Sequence, residues 1–180
     1  MISKEEIIKA RRKTLEYFSK ANIVITEEEL ENIEVTDFGL GNLKKIGLQL
    51  VIYINTPRVC AKEMVLFPYQ ICPQHKHPDV NNLLGKEETF RCRMGEVYLY
   101  LPDGKTKNIK GRIPDEHKDC FSIFREVILK PGDQYTIYPD TWHWFQAGKE
   151  GAIVSEFSTH SSDETDIFYH KKPAIPLYIR

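Results

Sequence analysis

The sequence predicts a mainly β fold, a small jelly-roll β-barrel with one N-terminal helix. Three observations carry this expectation. Short runs rich in Val, Ile, Tyr and Phe, divided by Gly, Pro and Asp, recur from Leu48 to Ser158. Helical periodicity is confined to the stretch before Gly39. The chemistry-bearing residues His75, His77, Glu88 and His143 fall in separate β-prone runs, as side chains do when several strands face one bowl.

The elements follow in order. Ser3 to Ala21 reads as a helix, because Ser3 and Glu6 form a capping-box pattern and Ile7, Ala10, Leu15 and Phe18 fall near helical spacing. A second helical start follows Thr26, where Glu27, Glu28 and Glu29 suit the positive end of a helix dipole. Leu48 to Ile54 and Arg58 to Ile71 are apolar strand-like runs. Glu87 to Leu101 alternates and ends in Pro102-Asp103-Gly104, so it reads as one arm of a hairpin. Phe121–Leu129, Gln134–Tyr138, Trp142–Gln146 and Ala152–Ser158 supply further short strands. The polar stretch Lys105 to Asp119 reads as a long loop. The organisation expected is a single domain over 1–180: a helical segment at 1–45, the barrel at 46–160 and a tail at 161–180 that drapes over it.

Composition excludes several functions. The 25 Lys and Arg nearly balance the 26 Asp and Glu, for a net charge of −1, and no basic stripe interleaves with aromatics, so no nucleic-acid partner is expected. No apolar run approaches the ~20 residues of a membrane span. The first residues lack the pattern of a signal peptide. Cys60, Cys72, Cys92 and Cys120 show no CxxC pairing and read as reduced thiols, which fits a cytoplasmic protein.

His75, His77, Glu88 and His143 together form a ligand set for a divalent metal. In an extended strand, His75 and His77 point to the same side. Imidazole-rich sites favour Mn²⁺, Fe²⁺, Co²⁺, Ni²⁺ or Zn²⁺ over Ca²⁺, and the absence of a Cys ligand points to a catalytic rather than a structural centre. His117, His160 and His170 read as solvated surface residues. Glu156 shares a strand face with Val154 and Ser158, so it is either a barrel-interior carboxylate or a surface Glu on an edge strand. Lys86 is either an exposed loop residue or a cation that reaches the metal site, where a nearby metal would disfavour its charged form. Lys62, with Met64 and Leu66 on its face, either enters the bowl or interrupts an apolar surface. Phe145 shares a face with His143 and reads as a pocket wall. Trp142 and Trp144 then point away, toward the N-terminal helix or a second subunit. Tyr69, Phe90 and Tyr135 read as core.

These residues resemble the cupin superfamily. Glu88, six residues and Gly95 match its first motif after His-x-His, and Gly132, Pro139 and His143 match its second. Thr141 stands where that motif usually has Gly, and the loop Pro78 to Lys86 lengthens the gap between His77 and Glu88. Within the cupins the chain resembles the D-lyxose isomerase family, through Pro73-Gln74-His75-Lys76-His77-Pro78, Lys86-Glu87-Glu88, Pro131 to Ile137, His143-Trp144-Phe145-Gln146-Ala147 and Ser155-Glu156-Phe157-Ser158-Thr159.

That resemblance implies a cupin-type barrel and a metal-dependent aldose–ketose isomerase. It implies D-lyxose and D-xylulose as the pair, D-mannose and D-fructose as a secondary one, and Mn²⁺ as the activating metal. Glu156 becomes the expected base, and Lys86 its partner in proton transfer or charge stabilisation. Lys62, Phe145 and Asp166 become expected sugar contacts. A homodimer is expected, as commonly among cupins. The readings left beside it are a cupin-type phosphosugar isomerase, with Arg58, Arg91 and Arg93 as phosphate ligands, an Fe²⁺-dependent cupin dioxygenase, and a non-catalytic sugar-binding module.

Overall fold

The computed structural model describes residues 2–170. Helix α1 spans Lys4–Lys20. Its capping box forms as the sequence predicts: the Glu6 amide donates to Ser3 Oγ at 3.2 Å, and the Ser3 amide donates to Glu6 Oε2 at 2.8 Å. The same device, from Thr26 and Glu29, starts the short helix α2, Glu27–Glu31. These caps satisfy amides that a helix start leaves without partners.

Among the described residues nine strands follow: β1 Glu34–Thr36, β2 Leu48–Asn55, β3 Cys60–Leu66, β4 Ile71–Lys76, β5 Glu88–Leu101, β6 Arg125–Leu129, β7 Gln134–Ile137, β8 His143–Ser158 and β9 Ile167–Phe168. The antiparallel pair β5–β8 is the spine, running from Glu88 opposite Ser158 to Tyr100 opposite Trp144. The two halves of β8 have different outer neighbours. Its first half pairs with β4, placing His143 opposite His75, and its second half pairs with β3, placing Glu156 opposite Lys62. One long strand thus brings His143 and Glu156 into the same curled sheet.

Trp142–Gln146 and Ala152–Ser158, read from the sequence as two strands, fall, from His143 on, in the continuous β8. The glycines between them bend the strand rather than end it. Gly95 and Gly151 both have positive φ, and a Cβ on Gly95 would lie 2.0 Å from the carbonyl oxygen of Gly151. The approach requires glycine at 95, while a Cβ on Gly151 would run into the Tyr17 hydroxyl at 2.3 Å. The run Arg58–Ile71 is divided instead. A turn at Phe67–Gln70, with Tyr69 at φ 57°, separates β3 from β4.

Apolar residues pack in two layers. Inside the barrel lie Leu48, Leu50, Met64, Phe90, Phe145 and Val154. Outside, Val51, Val65 and Ile153 are covered by Ile7, Ala10, Tyr17 and Phe18 of α1. The stretch Lys105 to Asp119, expected to be a long loop, carries most of a 3-10 turn, Asp115–Cys120, and sends Ile109 and Ile113 back into the core; Phe121 and Phe124, expected to open a strand, pack there too, and β6 starts only at Arg125. This corrects the expectation for Trp144, which stacks on Tyr100 at 3.7 Å under that segment and not against α1. Trp142 packs edge-on against Tyr169, with Lys76 over its ring. All four cysteines are buried thiols outside any disulfide. Among the described residues no helix is long and apolar enough to cross a membrane. The tail from Lys171 to Arg180 lies outside the described residues.

Candidate active site

Four side chains converge in the bowl. Ligand atoms of His75, His77, Glu88 and His143 all lie within 4.8 Å of one another, and each residue is buried. β4 supplies His75, the turn after it supplies His77, β5 begins at Glu88, and β8 begins at His143. Each imidazole is oriented from behind. His75 Nδ1 donates to the Pro73 carbonyl at 2.8 Å, and His143 Nδ1 donates to the Thr141 carbonyl at 2.9 Å. A carbonyl oxygen can only accept, so each of these rings carries a proton on Nδ1 and turns Nε2 toward the bowl.

The front of the cluster is unsatisfied. His77 Nε2, His143 Nε2 and Glu88 Oε1 are buried and have no hydrogen-bond partner, although His143 Nε2 stands 2.9 Å from Glu88 Oε1. Buried polar atoms without partners are costly. A divalent cation among them would satisfy all three, and three nitrogens with one carboxylate suit a transition metal. Burial, reinforced by His143 and His77, holds His75 well below the ordinary histidine range, which leaves it neutral as a ligand must be.

Beside the cluster lies a chain of buried charges. Lys86 Nζ stands 2.6 Å from Glu88 Oε2 and 3.1 Å from Glu156 Oε1. Lys62 Nζ lies 3.5 Å from the same Glu156 oxygen, to which Ser158 Oγ also donates at 3.1 Å. Burial would raise the Glu156 pKa, but the charges of Lys62 and Lys86 outweigh it and hold the carboxyl below its usual range. Burial also opposes the charge on Lys86, yet Glu156, Glu88 and Asp166 overcome it and push that pKa up. The sequence led us to expect a neighbouring cation to disfavour the charged lysine. The flanking carboxylates act in the opposite sense.

The cavity in front of these groups is lined by Lys62, Lys86, Glu88, Glu156 and Asp166 on its polar side, and by Phe38, Leu48, Leu50, Met64, Phe90, Phe145 and Phe168 on its apolar side. All nine residues singled out as ligands, acid–base groups or sugar contacts border it or belong to the cluster. Arg58, Arg91 and Arg93 are not among the lining residues, and Arg91 instead donates to Gln134 on the outside of the sheet.

The family model for D-lyxose isomerase matches residues 13–176. The chain belongs to this family. A D-lyxose ketol-isomerase of Thermofilum sp. is 58% identical over 168 residues, covering 93% of each chain. A D-lyxose/D-mannose isomerase of Thermosediminibacter oceani has the same identity and coverage. The structure resembles the L-ribose isomerase of Acinetobacter sp. DL28 in complex with L-ribose, with a TM-score of 0.78 at 16% identity, covering 96% of this chain and 94% of that one. The L-ribose isomerase of Cellulomonas parahominis with no ligand gives 0.77, also at 16% identity and the same coverage. At such identity the likeness establishes the fold, which is mainly β with an N-terminal helix, as the sequence predicts.

Within this D-lyxose isomerase fold, sequence reasoning missed several wall residues. Phe90, read as core, lines the cavity and meets the Phe145 ring edge-on at 4.9 Å. Its place two residues after Glu88 on one strand face was a usable signal. Phe168 stacks on His75 at 5.5 Å, and Phe38 packs against Phe168. No local pattern announced either, because both depend on distant segments closing over the bowl.

Proposed function

We propose that this D-lyxose isomerase family member is a metal-dependent aldose–ketose isomerase that interconverts D-lyxose and D-xylulose, with D-mannose and D-fructose as a secondary pair. The carrying observation is the buried Glu156, flanked by Lys62 and Lys86, on the wall next to the His75, His77, Glu88 and His143 cluster. A carboxylate kept ionised by two cations is a proton acceptor poised beside a Lewis-acid site. The family relatives named for D-lyxose and D-mannose support this choice of sugars.

In this reading His75, His77, Glu88 and His143 hold a divalent cation, which when bound supplies Lewis-acid polarisation of the sugar's carbonyl and hydroxyl oxygens. Glu156 takes the proton from C2 of the open-chain aldose. The C2–H electron pair becomes the C1–C2 double bond, and the carbonyl π pair moves onto O1. Glu156 returns the proton to C1 on the same face, so the intermediate is a cis-enediol, while the hydroxyl proton passes from O2 to O1. Lys86 donates to the oxygen on which charge develops, and its raised pKa suits a donor rather than a base. Lys62 orients Glu156 and a sugar hydroxyl, and Phe145 shapes the apolar wall.

We take Mn²⁺ as the activating ion, with Zn²⁺, Co²⁺, Fe²⁺ and Ni²⁺ compatible with the same donors. The whole chain, 1–180, acts as one domain. A homodimer is supported by exposed Ile52, Tyr53, Ile54, Val59 and Phe157, and by the edge of β2 beyond Leu50, which pairs with no strand among the described residues. Four buried thiols outside any disulfide suit the cytoplasm. A phosphosugar substrate is disfavoured, because the lining lysines already face carboxylates.

The test is to strip the metal and follow D-xylulose formation from D-lyxose after adding Mn²⁺, with and without oxygen. Turnover that needs metal and ignores oxygen is expected. Metal-loaded protein inert on D-lyxose and D-mannose, or turnover that consumes oxygen, overturns the reading.

A further inference from the structure

Past the barrel the chain doubles back over the bowl. A single 3-10 turn, Asp163–Thr165, leads into β9, which pairs with the end of β4 so that Phe168 lies opposite His75 and Ile167 opposite Lys76. The Tyr169 amide then donates to the Gln74 carbonyl at 2.9 Å. This short strap reaches two of the clustered histidines from behind. Asp166 Oδ1 accepts from His77 Nδ1 at 2.5 Å, and the Phe168 ring stacks on His75.

The two nitrogens of His77 face different groups. Nε2 looks toward Glu88 Oε1 at 3.5 Å and has no hydrogen-bond partner, whereas Nδ1 is engaged by Asp166. His75 and His143 have backbone carbonyls behind their Nδ1 atoms. His77 sits just beyond β4 and has a carboxylate in that place. Its backbone is held separately, since its carbonyl accepts from the Asp140 amide at 2.8 Å.

We propose that the strap is a positioning element for the metal centre. Asp166 fixes the tautomer and the tilt of His77, so that Nε2 is presented to the cation, and Phe168 braces the His75 ring. Asp166 thereby acts through His77, and not by holding a sugar hydroxyl. This rests on the metal-dependent reading above. The general basis is that a carboxylate behind a ligating imidazole orients it and strengthens its donor nitrogen.

The test compares the wild type with Asp166→Asn and Phe168→Leu. Three quantities are measured: Mn²⁺ affinity by chelator competition, the Tm of the metal-free protein, and KM for D-lyxose at saturating Mn²⁺. Asp166→Asn is expected to weaken Mn²⁺ binding by about 10–100-fold, with KM at saturating metal within about twofold of wild type. Phe168→Leu leaves Asp166 in place and is expected to weaken Mn²⁺ binding by about 2–10-fold, the scale of one aromatic stacking contact. A metal-free Tm close to wild type in either variant assigns its loss to the metal site rather than to folding. Unchanged Mn²⁺ affinity in both variants overturns the proposal, and so does a raised KM for Asp166→Asn with metal affinity intact, which would make Asp166 a sugar ligand. A wild type that binds no divalent cation overturns the proposed function itself and is read independently of the variants.

Discussion

Lys86 and Glu156 form a buried ion pair, with Nζ 3.1 Å from Oε1 and both side chains almost fully enclosed. The pair sits at the junction of two regions of the site, because the same ammonium also stands 2.6 Å from Glu88. Electrostatically, Lys86 separates two carboxylates that would otherwise confront each other in a low-dielectric pocket. Chemically, it joins the ligand cluster to the proposed base, so a change at one is felt at the other.

Glu156→Gln tests the proton transfer directly. The amide keeps the volume and an oxygen for Lys86, but it cannot accept a proton from carbon. A fall in kcat of about 10²–10⁴-fold is expected, the usual worth of a positioned acid–base group. Mn²⁺ affinity should stay close to wild type, since Glu156 is not in the ligand cluster. Steady-state kinetics beside a metal titration decide this, and near-full turnover with metal bound would remove Glu156 from its assigned role.

Replacing Lys86 with Met should be more damaging to the fold than the same change at Lys62. Removing one partner of a buried pair leaves an uncompensated charge and costs about 3–5 kcal/mol. Lys86 serves two carboxylates at 2.6 and 3.1 Å, whereas Lys62 lies 3.5 Å from one and also donates to Ser161 Oγ. Denaturant unfolding of the two metal-free variants ranks them. A Lys62→Met variant that loses as much stability as Lys86→Met would contradict the central place given to Lys86.

The extent to which this was legible in the sequence follows from how local each signal is. Ser3 with Glu6 and Thr26 with Glu29 announce their helices because a capping box is complete within four residues. His75, His77, Glu88 and His143 are legible as a group because their chemistry is rare and strand alternation aims them inward. The continuity of β8 is not legible, since it depends on Gly95, opposite Ala152, leaving room for the Gly151 carbonyl across a pairing set by the whole spine. Nor is the cover over Trp144, because nothing local to Phe121 or Phe124 says that they leave the strand pattern and fold onto that ring. Asp166 behind His77 requires knowing that the chain returns to pair with β4.

Metal binding should stabilise the native chain and depend on His143. A ligand that binds only the folded state raises stability in proportion to the logarithm of its concentration over Kd, about 2.7 kcal/mol at a hundredfold excess. Calorimetric scans with increasing Mn²⁺ should show a rising Tm in the wild type. In His143→Ala that rise should largely vanish, because one of the buried orphan nitrogens is gone. An undiminished metal-dependent shift in the variant would place the ion elsewhere.

Glu63 offers a stability test remote from the metal cluster. It lies on the outer face of β3 opposite Ser155, whose Oγ donates to its Oε1 at 2.7 Å, while its Oε2 is buried without a partner. Burial raises its pKa, and Ser155 and the Arg93 charge offset this only in part. Tyr53, the other titratable neighbour, is itself pushed up to about 12 by burial and by Glu63. Because the folded value exceeds the unfolded one, the native chain holds more protons between the two, and stability falls as pH rises through that window. Glu63→Gln removes the buried charge and keeps an oxygen for Ser155. The variant should therefore have the higher Tm at neutral pH, and its advantage should shrink on acidification, vanishing below about pH 4, where a carboxyl is protonated in both states. Thermal melts across that range check both the sign and the trend. An advantage that grew toward acid would mean that Glu63 is stabilised as the anion by its surroundings.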